Sequence, residues 1–162
     1  MSCFRTCFQN KYNTKNKNMS QMYEEVSYAE TVKFIPPIIG GMVIKVYDGD
    51  TITIANKLPY DTSPMYRFSV RLNGIDCPEM RTTNETEKQC AIIAKEFLLK
   101  TIMNKYVSLQ NIDVDKYGRI LADVLIDGEN VSDMLLIERL AVRYDGGTKI
   151  VPDDWMKYHN GC

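Results

Sequence analysis

The chain has 162 residues, of which 44% are apolar and 25% are charged. These proportions are those of an ordinary globular protein with one domain and one core, and they exclude a disordered or fibrous chain. The formal net charge is only −1, which excludes binding of nucleic acid through a uniformly basic surface. Any contact with phosphate must therefore come from local clusters of charge or from a bound cation.

Cysteine usage and hydropathy limit where the protein can reside. The five cysteines are scattered without paired spacing, at Cys3, Cys7, Cys77, Cys90 and Cys162. An odd number in this pattern favours free thiols in a reducing compartment over a disulfide framework. The N-terminal 33 residues contain no apolar run typical of a signal peptide, and no stretch of the sequence reaches transmembrane length. We expect an intracellular, cytoplasmic protein without a membrane partner.

The sequence divides into an N-terminal extension and one folded domain. Residues 1–41 are predicted to be a flexible extension and linker, because their first half lacks apolar periodicity and their end carries Pro-Pro and Gly-Gly pairs. Within this extension, the apolar spacing over residues 21–34 permits a short helix. Residues 42–162 are predicted to form the domain that carries the function.

Three β-strands are predicted in the first half of the domain, at residues 42–47, 51–55 and 65–72. The first two are β-branched runs separated by Asp48-Gly49-Asp50, which is typical of a hairpin or a sharply bent strand pair. The third alternates apolar and polar residues, which places Arg71 on the solvent side, free to reach a ligand. Cys77-Pro78 is expected to end this strand.

The second half of the domain combines helices with two further strands. An amphipathic helix is predicted over residues 85–103, two strands over residues 106–112 and 120–126, and shorter helices near Ser132 and Trp155. Either Asn130 or Ser132 can cap the second helix. This order of elements predicts an α+β protein with a five-stranded OB-fold barrel and two to three helices, although periodicity alone also permits other small α+β barrels.

Three short segments contain charged residues of the types that bind cations and phosphate groups: Asp48-Gly49-Asp50-Thr51, the stretch from Arg71 to Glu79, and Asp115-Lys116-Tyr117-Gly118-Arg119. The first two place an arginine and several carboxylates, among them Asp50, Asp76 and Glu79, at adjacent strand ends, a combination that suits a hard cation beside a phosphate. Each segment alone is an ordinary turn or ion-paired hairpin. Together, and in this order, they closely resemble the staphylococcal nuclease-like (thermonuclease) family over roughly residues 42–144.

The resemblance implies the OB-fold barrel and a metal-dependent nuclease that hydrolyses phosphodiester bonds in DNA, RNA or both and leaves 3′-phosphate ends. It implies one calcium ion, Ca²⁺, held by the carboxylates of Asp50 and Asp76 and by the main-chain carbonyl of Cys77. A thiolate ligand at Cys77 would instead favour zinc or another soft metal. Because no histidine or second cysteine is near in sequence, we expect the carbonyl to bind.

The resemblance also implies three catalytic residues and two residues that bind substrate. Glu79 matches the general base that activates the attacking water, while Arg71 and Arg119 match the two guanidinium groups that bind the phosphorus centre. Lys116 and Tyr117 match positions that contact a terminal phosphate. These assignments follow from the family motif and not from spacing alone.

A second class of function remains open at the level of sequence. The same barrel can serve as a non-catalytic module that binds nucleic acid or protein, because relatives in scaffold proteins have lost their catalytic residues. Here Arg71, Glu79 and Arg119 are all present together with both aspartates. A binding module has no chemical need for a general base, so the sequence favours the enzyme.

Overall fold

The structure is a computed structural model that describes residues 26–161, in two units that divide between Phe34 and Ile35. The described part of the first unit contains only a 3-10 turn at Tyr28–Glu30, where the Glu30 carboxylate accepts hydrogen bonds from the main chain and hydroxyl of Ser27. The predicted helix over residues 21–34 is therefore wrong for residues 26–27 and 31–34, and residues 21–25 lie outside the described residues. Tyr28 and Val32 are exposed, and so short a helix is marginal without a packed apolar face.

The second unit is built on a closed β-barrel. Within the described residues the strands are β1 (Gly40–Val46), β2 (Thr51–Asn56), β3 (Tyr66–Leu72), β4 (Ile75–Asp76), β5 (Tyr106–Val114), β6 (Ile120–Ile126), β7 (Glu129–Asn130) and β8 (Val142–Arg143). β2 pairs antiparallel with β1 and β3, β1 with β5, and β5 with β6. A parallel pairing of β3 with β6 closes the ring. The predicted α+β fold with a five-stranded OB-fold barrel is confirmed.

Three α-helices accompany the barrel: α1 (Glu85–Ile102), α2 (Val131–Ile137) and α3 (Trp155–Asn160). Each begins after a residue whose side chain accepts main-chain N–H groups of the first turn, namely Asn84, Asn130 and Asp154. The structure thus selects Asn130 over Ser132 as the cap of α2. None of the helices within residues 26–161 combines the length and apolarity that a bilayer-spanning helix needs.

The core fills the barrel and the space beneath α1. Alternating side chains of the barrel strands are fully buried, among them Val43, Ile52, Ile54, Val70, Leu72, Val107 and Val124. One face of α1 adds Cys90, Ala91, Ala94, Leu98 and Ile102, and α1 also packs against α3 and β1. Each large apolar side chain buried in this way contributes about 1.5–3 kcal/mol. The site is therefore supported by rigid strands.

Two local features bring the sequence motifs together. β3 ends at Leu72 and not at Cys77-Pro78 as predicted, because the chain turns at Asn73-Gly74, where Gly74 has a φ of 78°, and enters β4. An Asn-Gly pair favours such a turn, and it was missed. β4 then pairs with β8, which brings residues after β8 beside Asp76.

The proposed division into residues 1–41 and 42–162 stays a prediction.

Gly49 allows the β1–β2 connection to approach the end of β4. A Cβ atom at Gly49 would lie 2.9 Å from the Cβ of Cys77 and 3.0 Å from that of Ala94. Such distances require one of the neighbours to move, so glycine permits the close contact. As a result Asp50 lies beside Cys77, and its Oδ2 accepts the main-chain N–H of Cys77 at 3.4 Å.

Candidate active site

A cavity of about 640 Å³ opens where the three sequence segments meet. Apart from Asp76, all of the predicted site residues line it: Asp50, Arg71, Cys77, Glu79, Lys116, Tyr117 and Arg119. Asp76 is almost fully buried behind this surface and reaches it through its contacts with Arg71 and Lys149. The fold thus gathers into one site residues that are widely separated in sequence.

Arg71 bridges the two buried aspartates. Its Nη1 lies 2.7 Å from Asp50 Oδ1 and its Nη2 lies 2.9 Å from Asp76 Oδ1. The Arg71 side chain is only 17% exposed, so the expectation that it is free on the solvent side is wrong. Strand alternation correctly placed it outside the barrel interior, but the β1–β2 connection and β4 fold over that face. The guanidinium group therefore orients both carboxylates.

Burial controls the protonation of the two groups nearest this bridge. It raises the pKa of Asp50 to about 6, against the opposing effect of Arg71. It also raises the pKa of the Cys77 thiol well above its usual value, and the charges of Asp50 and Asp76 add to this effect. The thiol is therefore neutral in the metal-free protein at physiological pH, and a thiolate would form there only on binding a metal.

The predicted metal site offers few side-chain ligands. Within residues 26–161, no three side chains of His, Cys, Asp or Glu form a group that could hold a metal ion. The predicted set contains only two such side chains, Asp50 and Asp76, and adds a main-chain carbonyl. Both carboxylates are buried, and the charge of nearby Asp48 further raises the pKa of Asp50. Two buried carboxylates with a third, Asp48, nearby offer hard oxygen donors of the kind that divalent cations prefer.

Arg119 is oriented by the turn that precedes it. Its Nε lies 2.7 Å from Asp115 Oδ2, while Asp115 Oδ1 accepts the main-chain N–H groups of Tyr117 and Arg119. Although burial alone would raise it, the hydrogen bonds from Arg119 and Tyr117 hold the pKa of Asp115 below its usual value. Asp115 thus fixes one edge of the guanidinium group and leaves the two Nη groups for other partners.

Thr51 connects Arg119 to Asp50. Its Oγ1 donates to Asp50 Oδ1 at 2.9 Å and lies 3.5 Å from Arg119 Nη1. In the β2–β3 ladder, Thr51 is the direct neighbour of Arg71. No role was predicted for Thr51, although its position next to Asp50 at the start of a strand was an available signal.

Glu79 and Lys149 form the exposed edge of the site. The Glu79 side chain is 63% exposed, and its Oε1 lies 3.2 Å from Lys149 Nζ. The same ammonium group lies 2.9 Å from Asp76 Oδ2. The main-chain N–H of Glu79 donates to Glu87 in the first turn of α1, which anchors the loop. Lys149 was missed because it belongs to none of the three segments and lies 70 residues from Glu79.

Lys116 and Tyr117 lie at the tip of the β5–β6 turn. Gly118, with a φ of 80°, allows this turn to close. Tyr117 is 73% exposed, and the Lys116 Nζ lies 5.1 Å from the centre of its ring. The Arg119 guanidinium lies 5.6 Å from the same ring. The turn therefore presents two cations and an aromatic ring at the rim of the cavity.

Comparison with known proteins matches the chain to a nuclease family and to proteins described as nucleases. A family model described as staphylococcal nuclease homologue matches residues 69–154. A probable endonuclease of Schizosaccharomyces pombe is 29% identical over 128 residues, which cover 65% of this chain and 56% of that protein.

Two shorter matches belong to other eukaryotes. A probable staphylococcal-like nuclease of Oryza sativa subsp. japonica is 35% identical over 78 residues, or 48% of this chain and 22% of that protein. A probable endonuclease of Kluyveromyces lactis is 35% identical over 84 residues, or 49% of this chain and 31% of that protein. The matches thus span between 22% and 56% of the lengths of these three relatives.

Proposed function

The chain belongs to the staphylococcal nuclease homologue family, and from this premise we propose that it is a metal-dependent nuclease that hydrolyses phosphodiester bonds in DNA, RNA or both. The observation that carries the proposal is the connected network along the wall of one cavity, in which Arg71 joins Asp50 to Asp76 and Thr51 joins Asp50 to Arg119. We assign the activity to residues 42–162, with residues 1–41 as an extension.

The carboxylates of Asp50 and Asp76 and the main-chain carbonyl of Cys77 would hold one calcium ion. When bound, the ion would lower the pKa of the attacking water and neutralise charge on the phosphate. The chain itself supplies buried oxygen donors whose orientation is set by Arg71. Within residues 26–161, no group of three His, Cys, Asp or Glu side chains that could hold a metal forms around Cys77, which supports a role for its carbonyl oxygen rather than for its sulfur.

Glu79 is the proposed general base. Its carboxylate lies at the exposed edge of the cavity, where a water molecule can approach it. In the proposed step, Glu79 takes a proton from that water while the water oxygen forms a bond to phosphorus. The bond from phosphorus to the 5′ oxygen breaks, and the leaving oxygen takes a proton from solvent. The products are a 3′-phosphate end and a 5′-hydroxyl end.

Arg71 and Arg119 are proposed to stabilise the negative charge that accumulates around phosphorus. The Nε of Arg119 contacts Asp115, and its Nη1 makes only a 3.5 Å contact with Thr51 Oγ1. Most N–H groups of this guanidinium are therefore available to phosphate oxygens. Arg71 Nη1 carries a second N–H beyond the one directed at Asp50, whereas Nη2 also contacts the main-chain carbonyl of Ile75 at 3.4 Å. A planar guanidinium group that binds two oxygens at once suits this task better than a point charge.

Lys116 and Tyr117 are proposed to bind a terminal phosphate of the substrate. Their exposure at the rim of the cavity, on the same turn as Arg119, supports this role.

The non-catalytic alternative is disfavoured because the general base, both guanidinium groups and both aspartates are present in one site.

A digestion assay tests the proposal. Plasmid DNA and a structured RNA are incubated with the protein in the presence of calcium, magnesium or EDTA, and the ends of the products are analysed. We expect cleavage with calcium, none with EDTA, and 3′-phosphate ends. Binding of either nucleic acid without cleavage in any metal would replace the enzyme with a binding module.

A further inference from the structure

Lys149 holds a carboxylate oxygen that the proposed cation site needs. Of the four carboxylate oxygens of Asp50 and Asp76, Arg71 contacts the two Oδ1 atoms, which leaves the two Oδ2 atoms for a cation. Asp50 Oδ2 makes only a 3.4 Å contact with a main-chain N–H. Asp76 Oδ2, in contrast, lies 2.9 Å from Lys149 Nζ, and the same ammonium group also contacts Glu79 Oε1 at 3.2 Å.

The fold delivers Lys149 to this position from a distant part of the chain. β8 pairs with β4, and the main-chain N–H of Tyr144 donates to Gly74 O at 3.0 Å. The segment after β8 therefore begins beside the strand that carries Asp76. It then turns at Asp145, whose Oδ1 accepts the N–H of Gly147. The Lys149 side chain is 44% exposed, so it can move away from the carboxylates without disturbing the core.

We propose that Lys149 is a tethered competitor of the divalent cation, which must leave Asp76 and Glu79 before the cation binds and which thereby sets the affinity of the site. This inference rests on the proposed function, because it presupposes the cation at Asp50 and Asp76. The physical reason is charge: an ammonium group and a divalent ion that share one carboxylate oxygen repel each other strongly in a partly buried site. The flexible four-carbon stem of lysine lets the ammonium leave at low cost.

Displacement of Lys149 changes the environment of its amine. Without the cation, Asp76 and Glu79 both accept hydrogen bonds from the ammonium group and shield it. With the cation bound, the amine is released into the open part of the cavity. Acetylation of Lys149 by acetic anhydride, read by mass spectrometry, should therefore become faster when calcium is added. Lys57, an exposed lysine in the β2–β3 loop, provides the internal reference.

Calorimetric titration with calcium chloride in the absence of nucleic acid tests the inference on the full chain. Lys149→Met keeps most of the side-chain volume and removes the charge, and Lys57→Met is the matched control. We expect Lys149→Met to bind calcium about 3- to 30-fold more tightly than the unsubstituted protein, the range for loss of one partly buried ion-pair partner. Lys57→Met should bind as the unsubstituted protein does, and Lys149→Arg should not bind more tightly.

The outcomes separate this inference from the proposed function. If Lys149→Met binds calcium with the same or lower affinity, or if calcium leaves the acetylation rate of Lys149 unchanged, Lys149 is not a competitor. In that case the cation site still stands, provided that the unsubstituted protein binds calcium. If neither the unsubstituted protein nor any folded variant binds calcium, the cation site itself is wrong, and the inference falls with it. Circular dichroism verifies the fold of each variant.

Discussion

Arg119 Nη1 lies 3.5 Å from Thr51 Oγ1, although 68 residues separate the two in sequence. The Thr51 hydroxyl donates in turn to Asp50 Oδ1. One hydroxyl group therefore joins the guanidinium group of the β5–β6 turn to a buried carboxylate of the β1–β2 connection. The phosphate-binding part and the cation-binding part of the proposed site are therefore connected through the two contacts of the Thr51 hydroxyl group.

Thr51→Val removes this hydroxyl and keeps the side-chain shape. A hydrogen bond to a charged group contributes about 1.5–3 kcal/mol, so we expect the rate of nucleic-acid cleavage to fall at least about tenfold. Thr53→Val, two residues further along β2, is the matched control and should leave the rate unchanged. Single-turnover kinetics measure both. Equal rates for the two variants would show that the connection has no role in catalysis.

Removal of a carboxylate should weaken the cation and not the fold. Asp50→Asn replaces a charged oxygen donor with a neutral amide, and we expect calcium affinity to fall at least about tenfold, as is typical when one charged ligand or its support is lost. Asp61→Asn, at an exposed position in the β2–β3 loop, is the control. Isothermal titration calorimetry measures the affinities. Undiminished cleavage in EDTA by the unsubstituted protein would refute the metal requirement.

Cys77→Ser separates the carbonyl of residue 77 from its sulfur. The substitution keeps the main-chain carbonyl and Pro78, and the neutral thiol makes no contribution as a thiolate. Serine is also small enough for the close approach of Gly49. We expect the calcium dependence and the cleavage rate to change by less than about threefold, because a neutral group of similar size is exchanged. A bound zinc ion in the unsubstituted protein, lost together with activity in the variant, would favour the thiolate.

Ionisation of Asp50 should make the free energy of unfolding depend on pH. Its folded-state pKa is raised from 3.8 to about 6, so the cost of its buried charge is present above pH 6 and disappears as the pH falls through this range. With a chelator present, the unsubstituted protein should therefore gain about 1–3 kcal/mol in free energy of unfolding relative to Asp50→Asn between about pH 7 and about pH 4. Urea denaturation measures this difference.

The comparison with Asp50→Asn also cancels the effects of other groups that titrate in the same pH range, because these groups are the same in both proteins. Asp115 has a lowered pKa, so its stabilising effect is lost at low pH, but it is lost equally in both proteins. If the difference between the two proteins did not depend on pH, burial would not govern the ionisation of Asp50.

The barrel, and the segments whose candidate residues meet at one cavity, were predictable because their signals are local. Strand alternation and β-branched runs gave the five barrel strands, and the side chains in the Asp48–Thr51 and Asp115–Arg119 segments are close in sequence as well as in space. The family resemblance then supplied the order of the pieces. These features depend on neighbours within a few residues, which a single sequence contains.

The features that escaped prediction depend on tertiary contacts. The alternation in β3 indicated the face of Arg71 but not the carboxylates that cover it. The contact of Lys149 with Glu79 spans 70 residues and requires the pairing of β4 with β8. The short helix predicted over residues 21–34 is wrong for residues 26–27 and 31–34, because apolar spacing alone does not provide a packing partner.

The most direct test of the account is single-turnover cleavage of DNA and RNA with calcium by folded Glu79→Gln, Arg71→Lys and Arg119→Lys variants. We expect each variant to lose at least about 10²-fold in rate, because each removes a general base or a planar fork that acts in the transition state. Lys57→Met serves as the unaffected control, and circular dichroism confirms the fold. If Arg119→Lys cleaved at nearly the unsubstituted rate, the Asp115–Arg119 segment would be a structural turn, and the assignment of the active site would be contradicted.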